Sequence, residues 1–166
     1  MKRLTSTLIA LILAFVFSPV YAENPSYVGV KKCKGCHSGP KNGSVYEKWK
    51  KDIHAKAFET LKKKGEEKNP RCLSCHVTGF NDGGYKIGAS DASDFEGVQC
   101  EACHGKGSMY KKSSNMTRVD LCIENGMIIP RESLCIKCHN KRSPTFKGFD
   151  YSKYAKKVDH IFRESY

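Results

Sequence analysis

The sequence predicts a mainly α chain, much of it irregular, folded as one small domain around a core that its own side chains do not supply. Three observations point there. Apolar residues recur at helical spacing in two stretches, 44–65 and 151–162. Alternating runs of β-branched and aromatic residues, the signature of strands, are scarce. Finally, only 39% of the 166 residues are hydrophobic against 28% charged, so a protein-only core would be thin and would need staples.

Residues 1–22 read as a secretory signal peptide. Met1-Lys2-Arg3 gives a positive start, the apolar run from Leu8 to Phe17 is too short to persist as a membrane anchor, and small residues precede Ala22. Cleavage after Ala22 leaves one domain over residues 23–166 with no transmembrane segment, exported to the periplasm. Ser44-Val45-Tyr46-Glu47 has the form of a capping box. A helix is expected from there to Gly65, with Val45, Trp49, Ile53, Ala57 and Leu61 along one stripe. Asn69-Pro70 lies in a loop, and residues 79–88, holding Asp82-Gly83-Gly84, form a turn or short hairpin. A short helix is expected around Val119 to Glu124. After a linker containing Pro144, a final helix runs from Tyr151 to Phe162.

Nine cysteines in an exported chain first suggest disulfides. The spacing says otherwise. Eight of them fall in four repeats of one pattern: Cys33-Lys34-Gly35-Cys36-His37, Cys72-Leu73-Ser74-Cys75-His76, Cys100-Glu101-Ala102-Cys103-His104 and Cys135-Ile136-Lys137-Cys138-His139. Two thiols three apart can add to the two vinyl groups of one haem, and the histidine that follows is carried under the iron as its proximal ligand. Zinc knuckles also pair cysteines, but zinc does not require a histidine after every pair. A thiol redox pair would not recur four times. Four covalently bound c-type haems would also provide the missing core, so the fold expected is a small multihaem cytochrome c. The ninth cysteine, Cys122, sits in the apolar patch Asp120-Leu121-Cys122-Ile123. It reads as a small buried hydrophobe, with an intermolecular disulfide or a thiolate haem ligand as the sharper alternatives.

Six histidines are available, and four are proximal. Only His54 and His160 remain as distal ligands, so at least two haems must take methionine, another ligand, a neighbour's side chain, or stay open. His54 lies at the edge of the apolar stripe of its helix and is expected to bind iron. His160 points away from the stripe of Tyr151, Tyr154, Ala155, Val158, Ile161 and Phe162, so helical phase does not support it as a ligand unless the helix breaks or packs on both faces.

The formal charge is +12. Loss of Lys2 and Arg3 with the leader leaves +10, and eight propionates with four ferric centres bring this to about +6 oxidised and about +2 reduced. The basic residues thus largely balance haem, and no nucleic-acid partner is implied. Lys62-Lys63-Lys64 reads either as cations at a helix end or as a steering patch for an acidic redox partner.

Several of these segments together resemble the cytochrome c-554 family. They are the first motif followed by Trp49, His54-Ala55-Lys56-Ala57 and Leu61; Cys75-His76-Val77-Thr78-Gly79-Phe80; Gly83-Gly84-Tyr85; Gly97-Val98-Gln99 running into the third motif and Gly105; and the Tyr- and Lys-rich tail. The resemblance implies a periplasmic tetrahaem electron carrier like the acceptor of electrons from hydroxylamine oxidoreductase. Its partners would be a multihaem oxidoreductase upstream and a cytochrome or quinone reductase downstream. It also implies haems in close pairs, a five-coordinate second haem on His76, His54 opposite His104, and His160 opposite His139. The chain departs from the family where a distal histidine for the first haem is due. Residues 105–117 hold none, offering Met109, Tyr110 and Met116. Met116, or less favourably Met109, is the candidate distal ligand of the haem on His37; the alternative is that both methionines pack in the core or on the surface and this haem is open or has another ligand.

Three functions follow from this inventory: an electron shuttle, favoured by haem density and the lack of any further catalytic constellation; a haem-dependent reductase of nitric oxide, nitrite or hydroxylamine at an open iron; or a subunit of a larger haem array.

Overall fold

The computed structural model describes residues 24–160, and the expected signal peptide together with Ile161 and Phe162 lies outside them. Among the described residues nine short helices follow one another: α1 Val30–His37, α2 Val45–Lys51, α3 Ala57–Lys62, α4 Pro70–His76, α5 Cys100–His104, α6 Ser113–Met116, α7 Val119–Glu124, α8 Glu132–Cys135 and α9 Tyr151–Val158. Single 3-10 turns occupy Pro40–Asn42 and Ala92–Phe95. Among the described residues there is no strand, only an isolated antiparallel bridge between Val77 and Glu96.

The expected helix over 44–65 is in fact two. Asp52 leaves α2 in an extended conformation (φ −72°, ψ 155°), and its carboxylate accepts from the His54 backbone N–H at 2.8 Å. That local bond competes with helix continuation, a habit of Asp. The break frees Ile53, which is 77% exposed instead of lying in the stripe. The capping box does not form either. Ser44 adopts a left-handed conformation without a side-chain cap, and Glu47 accepts from Gly39 N–H at 3.3 Å. Gly65 does end the segment, at φ +69°.

Asn69 caps α4, its side chain accepting from Arg71 N–H, with Pro70 in the first turn. Proline is at ease there because that N–H has no helical partner. The helix expected around Val119 to Glu124 is α7. The last helix stops at Val158, earlier than the apolar pattern suggests, and Asp159 turns the chain out (φ −63°, ψ 126°).

The protein core is small. Phe58, Leu61, Leu73, Val77, Tyr85 and Phe95 are buried together, with Tyr27, Cys72, Phe80 and Ala92 packed on them. Thr78, wholly buried, donates to Gly97 O at 2.8 Å and accepts from Gln99 N–H at 2.9 Å. This joins the tail of the second motif to the entry of the third. Gly97 is needed at this junction: it has φ +81°, and a Cβ there would lie 2.6 Å from Ala55 O. Elsewhere large apolar side chains stand half exposed, among them Val119, Ile123, Ile128, Ile129 and Ile136. Four of them lie between the third and fourth motifs, and Ile136 lies inside the fourth.

Candidate functional site

Three of the four Cys-x-x-Cys-His motifs are helical. α1, α4 and α5 each end on the motif histidine, and the fourth motif starts at the last residue of α8 and continues as a turn in which His139 N–H bonds Cys135 O at 2.9 Å. Residues i, i+3 and i+4 share one face of a helix. Both thiols and the imidazole therefore face the same side, as bonding to one planar macrocycle demands.

The thiols of different motifs meet. The Cys33 thiol is raised above its ordinary pKa chiefly by a hydrogen bond with Cys100. Burial first, then the nearby Cys135, pushes Cys103 up to about 11. Burial, followed by the influence of Cys75, pushes Cys138 up to about 12. The motifs thus form a row in the order one, three, four, two, which the chain order does not reveal.

The histidines are prepared as ligands. His76 Nδ1 donates to Ala57 O at 2.7 Å, His104 Nδ1 to Ile128 O at 3.1 Å, and His160 Nδ1 to Val158 O at 2.9 Å. A carbonyl only accepts, so Nδ1 carries the proton and Nε2 presents a lone pair. His54 Nδ1 does the same against Asp52 Oδ1 at 2.8 Å. Such outer partners orient a ligating imidazole and raise its basicity. Burial lowers the pKa of His37, His104 and His139, helped in each case by another histidine. The neutral, metal-binding form is favoured.

Two pairs of rings face each other edge to face, His54 with His139 and His104 with His160, each with centroids 5.9 Å apart. Imidazoles bound on opposite sides of one metal, at about 2 Å per bond, would have ring centres roughly 6 Å apart. The donor set therefore fits haem. The pairing implied by the resemblance is reversed: His54 stands by His139 rather than His104, and His160 by His104 rather than His139. The helix ends before His160, whose ring stands beside that of His104, so the phase of an unbroken helix misleads.

Supporting groups complete the picture. Phe149 stacks on His139 at 4.6 Å, with Tyr154 behind it at 5.5 Å. Trp49 Nε1 donates to Val98 O at 2.9 Å and Val98 N–H to His54 O at 2.9 Å, which holds the His54 segment. Ile128, Ile129 and Leu134 line a cleft of about 290 Å³ with Arg131 and Lys137 beside them, apolar walls with cations suited to a carboxylate-bearing macrocycle. Met116 Sδ lies 3.5 Å from Cys122 Sγ, and Cys122 is buried as expected. Lys62 is engaged by Glu96 at 2.9 Å and by the ring of Phe58, 4.7 Å from its centroid. Asp52, the orienting partner of His54, is the residue that motif reading missed; the signal was an aspartate two places before a histidine.

Comparison with known proteins gives the family. The family described as cytochrome c554 and c-prime matches residues 32–105. Cytochrome c-554 of Nitrosomonas europaea is 32% identical over 169 aligned residues, covering 83% of this chain and 69% of that protein. This chain belongs to the cytochrome c-554 family. The solved reduced state of cytochrome c554 from Nitrosomonas europaea superposes with a TM-score of 0.58 at 27% identity, over 85% of this chain and 80% of that one. As a family member the chain is a c-type cytochrome that carries electrons, with four c-type haems as cofactors and redox proteins as partners. The comparisons lend nothing to the reductase alternative. Among the described residues no helix is long and apolar enough to cross a membrane.

Proposed function

We propose that this chain is a periplasmic electron carrier whose signal peptide is residues 1–22 and whose tetrahaem domain spans residues 23–166. It would accept electrons from a multihaem oxidoreductase and pass them to a downstream cytochrome or quinone reductase. The observation that carries the residue assignment is the pair of histidine couples at 5.9 Å within a row of four attachment motifs.

Each haem supplies a one-electron ferric/ferrous couple. Cys33 with Cys36, Cys72 with Cys75, Cys100 with Cys103, and Cys135 with Cys138 anchor the four groups through thioether bonds. His37, His76, His104 and His139 provide the proximal nitrogens. His54, oriented by Asp52, would be the second histidine for the haem held by His139, and His160 the second for the haem held by His104. The two interior motifs of the row, three and four, therefore have two histidines each. The end motifs, one and two, have one each. Met116 would be the distal donor for the haem held by His37, and the haem held by His76 would have no second ligand from this chain. With the motifs side by side, the haems they would hold would be neighbours, and each would supply a one-electron couple to the next.

The test is spectroscopic. The ferric protein, examined by electron paramagnetic resonance, is expected to show low-spin signals with a high-spin fraction of one haem in four, and the reduced form to bind nitric oxide at that one. Haem peptides from a digest should map to all four motifs. A motif without haem would overturn the assignment.

A further inference from the structure

Glu101, the residue after the first cysteine of the third motif, is 1% exposed. Its carboxylate accepts from Val28 N–H at 3.0 and 3.1 Å, one contact to each oxygen, from Gly29 N–H at 2.7 Å and from Gly107 N–H at 2.7 Å. Among the described residues its hydrogen-bond partners are all backbone amides, and no ion pair reaches it. Every group facing the two oxygens donates, so the carboxylate form is the one the pocket accommodates, and a carboxylic acid would waste its proton. Val28 and Gly29 lead directly into α1, which carries Cys33 and His37. Gln99 reinforces the junction by accepting from Val30 N–H at 2.9 Å. A side chain of the third motif thus closes the entry to the helix of the first, at the point where their thiols meet.

Capping alone does not require a charge, since a neutral acceptor would serve. A buried anion facing only amides is costly, because the amides offset part of its desolvation but leave a net negative charge in a region of low dielectric. A ferric porphyrin carries one positive charge that the ferrous form lacks. By reciprocity, an anion that steadies the ferric state is steadied by it in turn.

We infer that Glu101 is a positioning residue for electron transfer: a fixed buried anion, locked by three backbone amides between the first and third motifs, that lowers the reduction potential of the haems these motifs hold. The proposal rests on the motif assignments above. Its charge reaches these neighbours: behind the contact with Cys100 and burial it helps hold the Cys33 thiol up, and behind burial and Cys33 it helps hold the Tyr110 phenol up. Second-shell charge and burial are the levers by which a protein tunes a haem without touching its ligands.

The experiment is a spectroelectrochemical titration of the four-haem protein and of Glu101→Gln, which keeps the shape and removes the charge. At least one of the four one-electron steps should shift in favour of reduction by about tenfold in its equilibrium constant, or about 59 mV. Haem content, helicity and the low-spin signals should not change. Glu101→Asp, which keeps the charge but shortens the reach, should hold the potentials near the wild-type values even if the protein is less stable. Four unmoved potentials in a fully loaded E101Q would overturn the inference, as would equal shifts in both variants, which would mean packing alone. If E101Q does not accumulate with four haems, E101D decides: a retained potential supports the charge and a raised one overturns it. Mapping haem peptides of the wild-type protein to motifs one and three separates the two ideas. Haem present with unmoved potentials defeats the role of Glu101 only, whereas haem absent from either motif defeats both.

Discussion

The imidazoles of His54 and His139 lie edge to face with their centres 5.9 Å apart, although 85 positions of chain separate them. This relationship makes a test of the distal ligands specific. His54→Ala should turn the haem of the fourth motif high-spin and leave the third unaffected, and His160→Ala should do the reverse. Paramagnetic NMR, which separates the hyperfine-shifted signals of individual haems, reads the outcome. Loss of low-spin character at the third haem in the His54 variant would restore the opposite pairing.

Asp52 accepts from both the backbone and the ring of His54, so it fixes the orientation of the ligand. In Asp52→Asn the bond to Nδ1 weakens while the shape persists. Second-shell losses of this kind cost about 10–100-fold in ligand affinity. Added imidazole should therefore displace His54 at correspondingly lower concentration, followed by the optical change at one haem. Identical displacement curves for variant and wild type would remove Asp52 from the ligand's support.

Much of this site could be read from the chain. Four identical motifs announce the haems because covalent attachment is local chemistry, written in five consecutive residues. Helix α7 was legible for the same reason. What could not be read depended on long-range contact. The break at Asp52 follows from a side chain competing for the backbone, which the apolar stripe through Ile53 concealed. The position of His160 follows from the helix ending at Val158, and the pairing of His160 with His104 from where that break aims the ring. The row order of the motifs is purely tertiary, since Cys33 meets Cys100 rather than the second motif. The role of Glu101 was hidden inside a motif whose middle residues carry no rule of their own.

Leu73 lies in the second motif between its two cysteines, and it is wholly buried in the small cluster with Phe58, Leu61 and Val77. It thereby couples haem attachment to the protein core. Leu73→Ala should cost about 2–5 kcal/mol, seen as a lowered midpoint in chemical denaturation of the four-haem protein. A loss below this range would mean that the bound macrocycles, rather than this cluster, carry the stability.

Tyr27 donates to Asp82 at 3.1 Å, and Lys106 pairs with the same carboxylate at 2.7 Å. Burial, then the bond to Asp82, pushes the Tyr27 phenol up to about 12. A group raised on folding contributes stability that is complete below its unfolded pKa and is lost as pH climbs through its folded value. The contribution of Tyr27 should hold below about pH 10, the ordinary tyrosine value, and fade towards pH 12. Comparing wild type with Tyr27→Phe by denaturation across this window isolates the effect. Wild type should lose its advantage over the variant as pH rises, and a constant difference would count against it.

Met116 and Cys122 bring two sulfurs to 3.5 Å, which sets the two readings of this corner against each other. Cys122 is 3% exposed and its thiol also faces Asn115 O at 3.3 Å, contacts that suit a small buried hydrophobe. Met116 is 38% exposed on a helix of four residues, so little holds it against the thiol. Cys122→Ala should therefore leave the ferric spectrum as it is, because the thiol ligates nothing. Met116→Ala should add one haem in four to the high-spin fraction and open a second site for nitric oxide. A low-spin spectrum untouched by Met116→Ala would take that residue out of the ligand set and leave the first haem to another donor. A spectrum changed by Cys122→Ala instead would identify a thiolate at the iron, with the lower potential that such a ligand brings.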